Sequence, residues 1–429
     1  MVPGSSVATP ERILQVIDVV AAQTRHPVAI VVSAFGGVTD SLIAVGQKAS
    51  QGDGTYVQDL AQIKERHFSI AHALIPSATL PPIDAHLEKE FKELTDALQG
   101  IALIKELTKR SLDLLMSFGE RLSAYIIAAA MQVKVKNAVF VDARTLIVTD
   151  RHFGAAHVNY EQTYARIAGA LGENQSTPII TGFIASSTNG ETTTLGRGGS
   201  DFTAAIIGAA LNAEEIEIWT DVSGVMTADP RKVKDAFPIA RMTYKEAMEM
   251  SHFGAKVIHP PTIAPALQRN IPIRIKNTFT PDAEGTLITS ESCDHMHPIS
   301  GLTSIDQVSL FRVEGAGILG VYGMASRLFG ALARKEISII LISQGSSEHS
   351  ICFAIAPQSS DYAVEIIEEE FALEMQAGLI DEITVDKEVS IIAVVGENMC
   401  RIPGIAGKLF GALGTNGINI ITIAQGSSE

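Results

Sequence analysis

Residues 192–211 read TTTLGRGGSDFTAAIIGAAL. A glycine-dense bend (Gly196, Gly198, Gly199) runs into Ser200 and Asp201, which open an apolar, alanine-rich segment with the pattern of a buried helix. Small residues let backbone N–H groups come close to a ligand, and a helix N-terminus favours negative charge. These are the requirements of a phosphate or carboxylate site. Arg197 adds a planar, permanently charged fork suited to either anion, and Asp201 would sit beside whatever is bound. A plainer pattern fits too: a glycine turn with an Asp cap on the next helix.

Toward the N-terminus, Gly4-Ser5-Ser6 precede a helix capped by Thr9 with Pro10 in its first turn. Val28 to Val32 form a continuous apolar run, typical of a strand buried on both faces, ending in Ser33 and Gly36-Gly37. Thr39 and Asp40 then fall in a strand-to-helix loop, where α/β folds place ligands and where helix capping is the alternative. Residues 42–133 are mostly helical in pattern, broken at Gly52-Asp53-Gly54 and at Pro81-Pro82. One of these helices carries Glu120-Arg121 among apolar residues; such charges need a partner, a ligand or an exposed face.

From 138 onward strands alternate with glycine turns and helices: AVFVDAR, TPIITGFIAS, EIEIWTDVSGVMTADPR and IPIRIKNT. The alternation predicts a largely parallel sheet with helices on both faces. Thr220-Asp221 closes one strand, Asp229-Pro230-Arg231 follows in its loop, and Tyr244 to Met250 read as a helix. Lys256 in FGAKVIHP has the reach for a nucleotide phosphate, although a solvated lysine is the default. After Gly285 to Thr289 the chain turns polar, SESCDHMHP, which marks a linker; His295 and His297 there have no companion ligands.

Beyond the linker lies an internal repeat. RLFGALARKEISIILISQGSSE (327–348) matches KLFGALGTNGINIITIAQGSSE (408–429) at fourteen of twenty-two positions, an offset of 81. Each copy reads strand, glycine loop, helix, strand, so the region is two copies of a small α+β module, the second cut short with its last strand edge exposed. Gly315, Gly317 and Gly320 form GxGxxG ahead of Glu336, as in a dinucleotide site. Glu336 precedes the next strand rather than ending it, and the repeat partner lacks the glycines, so this spacing is read as a decoy.

A chain of 429 residues, 46% hydrophobic, is long enough for two or three domains and reads as soluble and globular. Its net charge of −15 argues against a nucleic-acid or anionic-membrane surface. Cys293, Cys352 and Cys400 are scattered, without CxxC spacing, which predicts neither a disulfide framework nor zinc and suits a reducing cytoplasm. No signal peptide and no apolar run near eighteen residues is found. Walker A, HExxH and Ser/His/Asp signatures are also missing. Glycine turns with Ser, Thr, Arg and Asp beside them suit phosphoryl transfer, which depends on positioning and charge neutralisation.

SSVATPERI, VVSAFGGVTDSL, SFGERLS, TTTLGRGGSDFTAA, IWTDVSGVMTADPR and FGAKVIHP, in that order, resemble the aspartate kinases. The repeat resembles their ACT modules, most like the aspartokinase part of bifunctional aspartokinase/homoserine dehydrogenase. The resemblance implies an amino-acid kinase fold, a mostly parallel sheet between helices, over 1–290. A linker at 291–300, a first ACT module at 301–386 and an incomplete second at 387–429 would follow.

It also implies phosphorylation of the L-aspartate side-chain carboxylate by ATP with Mg2+, the first step toward lysine, threonine and methionine. Arg197 would clamp a substrate carboxylate, with Ser33, Thr39 and Glu120 holding the rest of the aspartate. Gly4, Ser5, Gly198, Gly199 and Ser200 would line the phosphate path and Asp201 would organise the transfer region. Thr220, Asp221, Arg231, Lys256 and Val257 would hold ATP, and no metal-ligand cluster is expected. The family's opening Lys-Phe-Gly-Gly-Thr-Ser stands here as Met1-Val2-Pro3-Gly4-Ser5-Ser6, without the lysine; a non-catalytic nucleotide and amino-acid sensor is the alternative. Gln344 and Gln425, with Ile340 where lysine-regulated members carry Asp, imply threonine as effector. A homo-oligomer joined through ACT modules and a homoserine dehydrogenase beyond residue 429 are further expectations.

Overall fold

The apolar run around Val28–Val32 forms β1 (Ile30–Val32), whose three residues are all buried. The computed structural model describes residues 1–22, 27–172, 176–255, 258–291, 298–315, 322–344, 350–397, 399 and 402–426. It divides into two units, the first comprising Met1–Met226, Phe237–Ala247 and Lys256–Cys293.

In the first unit, α1 (Pro10–Ala22) precedes β1, and four long helices follow: α2 (Val38–Gln51), α3 (Tyr56–Leu74), α4 (Leu80–Ile104) and α5 (Lys109–Met131). On α4, Leu87, Phe91, Leu94, Leu98 and Ile101 recur every three to four residues and are all buried, the stripe that packs it against its neighbours. The Pro81-Pro82 pair starts this helix, where a proline's missing N–H costs nothing. By length and composition α5 would cross a bilayer, but 83% of that stretch is buried inside the protein. It is the central helix of the core.

Then come β2 (Ala138–Val141), β3 (Val148–Thr149), α6 (Tyr160–Leu171), β4 (Thr177–Thr181), β5 (Ile184–Ser187), β6 (Thr192–Thr194), α7 (Gly199–Ala210) and β7 (Ile216–Thr220). The unit closes with β8 (Arg241–Thr243), the start of α8 (Tyr244–His252), α9 (Pro260–Arg269), β9 (Ile273–Asn277) and β10 (Thr286–Thr289). Strands β1, β4 and β2 pair in parallel, as do β7 with β9 and β8 with β10, while β9 and β10 run antiparallel. A small sheet, β3-β5-β6, stands apart.

Residues 1 and 2 join the two larger sheets. Val2 donates to Val31 O (2.8 Å) and accepts from Ser33 N–H (3.1 Å), while Met1 O accepts from Trp219 N–H (3.0 Å). The Met1 ammonium donates to Glu217 O at 2.7 Å. Met1 and Val2 thus bridge β1 and β7, Val2 through an isolated parallel bridge to Val32, just ahead of the turn that the sequence predicts at Gly4-Ser5-Ser6.

The second unit comprises Thr227–Ala236, Met248–Ala255 and Asp294–Glu429. It orders β11 (Gly301–Glu314), α10 (Met324–Arg334), β12 (Ile339–Gln344), β13 (Ser350–Ile355), α11 (Ser360–Glu370), α12 (Ala372–Gln376), β14 (Ile383–Val395) and α13 (Ile405–Thr415). One antiparallel sheet, β12-β13-β11-β14, packs Phe311, Phe353 and Ile355 against Leu328, Leu332 and Ile367 of α10 and α11. Strand β14 runs across the expected module boundary at 386/387, because it pairs along β11 from Ile383 to Val395. The strand predicted in the second repeat copy does not form: residues 418–426 are irregular and mostly exposed, with Ser343 Oγ donating to Ile423 O as a side-chain tie. A strand exists by pairing, and no ladder forms there. The GxGxxG segment beyond Gly315, and His295 and His297, lie outside the described residues.

Val2→Pro removes the N–H given to Val31 and should lower the unfolding free energy of the first unit by about 1–3 kcal/mol. Urea unfolding followed by fluorescence of the single tryptophan, Trp219 on β7, reads this directly. An unchanged midpoint would refute the stitching role.

Candidate active site

Several chain bends meet in one cleft of about 430 Å3 in the first unit. Its walls are Met1, Gly4 and Ser5, then the loop from Ser33 to Gly37 with Thr39 and Asp40, then Glu120, Phe183 and the bend Gly196–Asp201. Ten residues to which the resemblance assigns a site role therefore come together: Gly4, Ser5, Ser33, Thr39, Glu120, Arg197, Gly198, Gly199, Ser200 and Asp201.

Two helices begin at this cleft. Helix α2 has Gly37 at its N-cap and α7 has Gly198, both in the left-handed region, and no side chain caps either start. Asp40 and Asp201 are thus not capping residues, which removes the plainer reading of both. The uncapped N-termini present N–H groups and positive dipole ends to an anion. Only glycine fits at 198: φ is +69°, and a Cβ would lie 2.4 Å from the Cβ of His259, the residue that precedes α9. Phe183 holds a φ of +66° in the same wall, a strained position for an aromatic residue.

The charged groups are unusually placed. Arg197 is exposed, and among the described residues no carboxylate pairs with its guanidinium. Glu120 is 3% exposed; one oxygen accepts from Ala34 N–H at 3.4 Å and the other has no partner among the described residues. Burial pushes its carboxyl up to about 8. Burial likewise raises Asp201 to about 6. The sequence neighbour of Glu120, Arg121, points elsewhere, into a buried pair with Glu90 (2.5 Å) and a contact with Glu93 (3.2 Å). An orphaned carboxylate oxygen inside a cleft suits a ligand ammonium, and an unpaired guanidinium suits a ligand carboxylate.

The remaining expectations fall differently. Thr220 ends β7 and donates to Asp221 at 3.2 Å; neither lines the cleft. Thr220 O accepts from Thr278 N–H (2.9 Å), and the Thr278 hydroxyl meets Ser6 Oγ (2.7 Å), which ties the end of β7 to the Gly4-Ser5 turn. Arg231 lies in the second unit, ion-paired with Asp229 at 2.8 Å. Lys256 and Val257 lie outside the described residues. Gln344 closes β12 in the second unit, and Gln425 lines an apolar cleft of about 670 Å3 there, between α13 and the sheet. His259 escaped the sequence reading, although it stands in the quoted FGAKVIHP motif three residues after Lys256. Its pKa is lowered by burial and by the nearby charge of Arg197.

Among the described residues no group of three or more His, Cys, Asp or Glu gathers to hold a metal. Mg2+ is ordinarily held by one or two carboxylates together with substrate phosphates, and Asp201 in the first turn of α7 fits that donor set.

Comparison with known proteins places this geometry. The amino acid kinase family matches residues 1–277, and an ACT domain matches 311–371 and 392–429. A bifunctional aspartokinase/homoserine dehydrogenase of Haemophilus influenzae is 37% identical over 432 residues, covering 99% of this chain and 53% of its own. This chain spans about half the length of the bifunctional relatives it matches. The chloroplastic aspartokinase 3 of Arabidopsis thaliana is 35% identical over 437 residues, 99% of this chain and 76% of its own. The structure of E. coli aspartokinase III in complex with aspartate and ADP superposes with a TM-score of 0.85 at 28% identity, covering 100% of this chain and 94% of that one. The chain belongs to the amino acid kinase family and, within it, to the aspartokinases that carry ACT domains.

Proposed function

We propose that this chain transfers the γ-phosphoryl group of ATP to the side-chain carboxylate of L-aspartate, giving 4-phospho-L-aspartate and ADP. The observation that carries this is the convergence, in one cleft, of two uncapped helix N-termini, the unpaired Arg197 and the unpartnered oxygen of buried Glu120. Arg197 clamps the α-carboxylate. Glu120, with Ser33 and Thr39 beside it, receives the ammonium group. The side-chain carboxylate then faces the start of α7, where Gly198, Gly199 and Ser200 offer N–H groups to the phosphoryl oxygens. A carboxylate oxygen forms the new bond to the γ-phosphorus as the bond to the β,γ-bridging oxygen breaks and ADP leaves. The nucleophile is already ionised at neutral pH, with a pKa of roughly 4, so no general base is needed. Catalysis consists of holding two anions in line and spreading the transferring charge. Asp201 would hold Mg2+, which would supply part of that neutralisation. Thr220, Asp221, Lys256 and Val257 are proposed to hold the nucleotide.

The ACT domain supports control by an amino acid, and Gln344, Gln425 and Ile340 favour threonine over lysine. The bifunctional relatives support a longer protein with a homoserine dehydrogenase after residue 429, and self-association through the ACT modules fits the same reading. A second reading, a nucleotide and amino-acid sensor that transfers nothing, is favoured by one observation: Met1 lines the cleft where the family motif carries lysine.

Hydroxylamine trapping of the acyl phosphate separates the two readings. The chain should form aspartyl hydroxamate from aspartate and ATP; binding of both without product would establish the sensor. Arg197→Ala should raise the aspartate KM by about 10- to 100-fold while the ATP KM moves less than about twofold.

Glu120 gives a pH dependence. Its carboxyl is protonated in the free site below about 8 and must ionise to receive an ammonium group. Aspartate affinity should therefore rise about tenfold per pH unit from about pH 6 to 7.5 and level off above about 8, with one proton released on binding. Glu120→Gln should flatten this profile, and calorimetry in buffers of different ionisation heat checks the proton. Threonine should inhibit and lysine should not, and titration of each against hydroxamate formation decides between them.

A further inference from the structure

Helix α5 carries a second buried carboxylate that the proposed chemistry does not use. Asp113 is fully buried, and among the described residues no Lys, Arg or His pairs with it. Oδ2 accepts from Gly154 N–H (3.0 Å) and Thr194 N–H (3.1 Å), and Oδ1 accepts from Thr194 Oγ1 (2.8 Å). Burial raises its pKa while these three bonds oppose the rise.

All three donors flank one feature. Thr194 ends β6, three residues before Arg197, and its carbonyl accepts from Ala156 N–H at 2.9 Å. Gly154 belongs to the loop that lies against Gly196: its carbonyl oxygen would be 3.3 Å from a Cβ there. The bend between β6 and α7 contains glycines at φ +75° and +69° and is intrinsically loose. Without an external tether, the Arg197 guanidinium has no fixed place from which to meet a carboxylate.

We propose that Asp113 is a positioning residue for substrate recognition: it anchors the base of the Arg197 bend to α5, the helix that also presents Glu120. The two carboxylates are seven residues apart, two turns along one face and roughly 10 Å along the axis. A single rigid helix thereby fixes the spacing between the group that receives the substrate ammonium and the loop that carries its carboxylate clamp. A charged acceptor suits the role, because bonds to a carboxylate are about twice as strong as neutral ones. The inference rests on reading Arg197 as the clamp.

The test uses the 429-residue chain with Asp113→Ala, Asp113→Asn and Thr194→Val. Two readouts are taken: hydrogen exchange of the amides from 194 to 200, and the aspartate and ATP KM values. Asp113→Ala should speed exchange across that bend by about tenfold or more, with β7 amides unchanged. It should raise the aspartate KM by about tenfold with the ATP KM within about twofold. Asp113→Asn keeps the size of the side chain and an oxygen for the two N–H groups, and should recover most of both; Thr194→Val should lie between. Unchanged exchange at the bend in a folded variant, or an equal rise in both KM values with loosening throughout the unit, would overturn the proposal. Should Asp113→Ala fail to fold, Thr194→Val decides the matter by the same measurements. If the parent chain forms no hydroxamate, the kinase reading falls, and the exchange data still decide whether the anchor exists.

Discussion

The backbone bonds of Met1 and Val2 are the constraint on which the cleft depends. Two sheets, β2-β4-β1 and β7-β9-β10-β8, are bridged by this short segment, which hydrogen-bonds to β1 on one side and to β7 on the other. Because Val2 is held in register with Val31 and Ser33, the turn that follows has nowhere to go but over the end of β1. Gly4 there packs so tightly that a Cβ would lie 2.8 Å from Ala34 O. Parallel strands place their ends and the following loops on one edge of a sheet, and ligands bind at that edge in open α/β folds. The stitch thus brings Gly4-Ser5 beside the Ser33–Gly37 loop.

Much of this architecture was legible in the sequence because it obeys local rules. A continuous apolar run bounded by glycines marked β1, the four-helix stretch followed its 3.6-residue stripe, and the Gly196–Asp201 bend announced a helix start. What was not legible depends on partners far away in the chain. Nothing in MVPGSS marks these bridging bonds, since their partners are near 31 and 219. Glu120 and Arg121 look alike in sequence, yet one faces the cleft and the other a buried Glu90, a difference of one step around the helix. Asp113 resembles an exposed polar residue of an amphipathic helix, and its donors lie 41 and 81 residues away.

The second unit shows the same limit at the level of domains. Segments 227–236 and 248–255 fall between kinase strands in sequence but pack with the ACT sheet. Leu302 N–H donates to Thr227 O (2.8 Å), Thr303 Oγ1 to Phe253 O (2.9 Å), and Lys232 reaches Ser304 and Asp306. The loop that carries Arg231 is therefore attached to β11, a strand of the second unit. One backbone bond, Leu302 N–H to Thr227 O, and the Lys232 side chain tie that loop to β11.

The cleft itself is built as an incomplete set of charges. A buried glutamate with no cation beside it among the described residues is an unfavourable arrangement, whereas the exposed Arg197 is satisfied by water until a ligand carboxylate replaces it. Glu120 responds by holding its proton, which is why its pKa sits at about 8. On the proposed reading, a ligand that carries an ammonium and a carboxylate on one carbon would meet both groups at once, with Glu120 giving up its proton as the ammonium arrives. On the proposed reading, specificity would follow from the same geometry: a ligand without an ammonium would leave Glu120 protonated with an oxygen unpartnered, and one without a carboxylate would forgo the Arg197 fork.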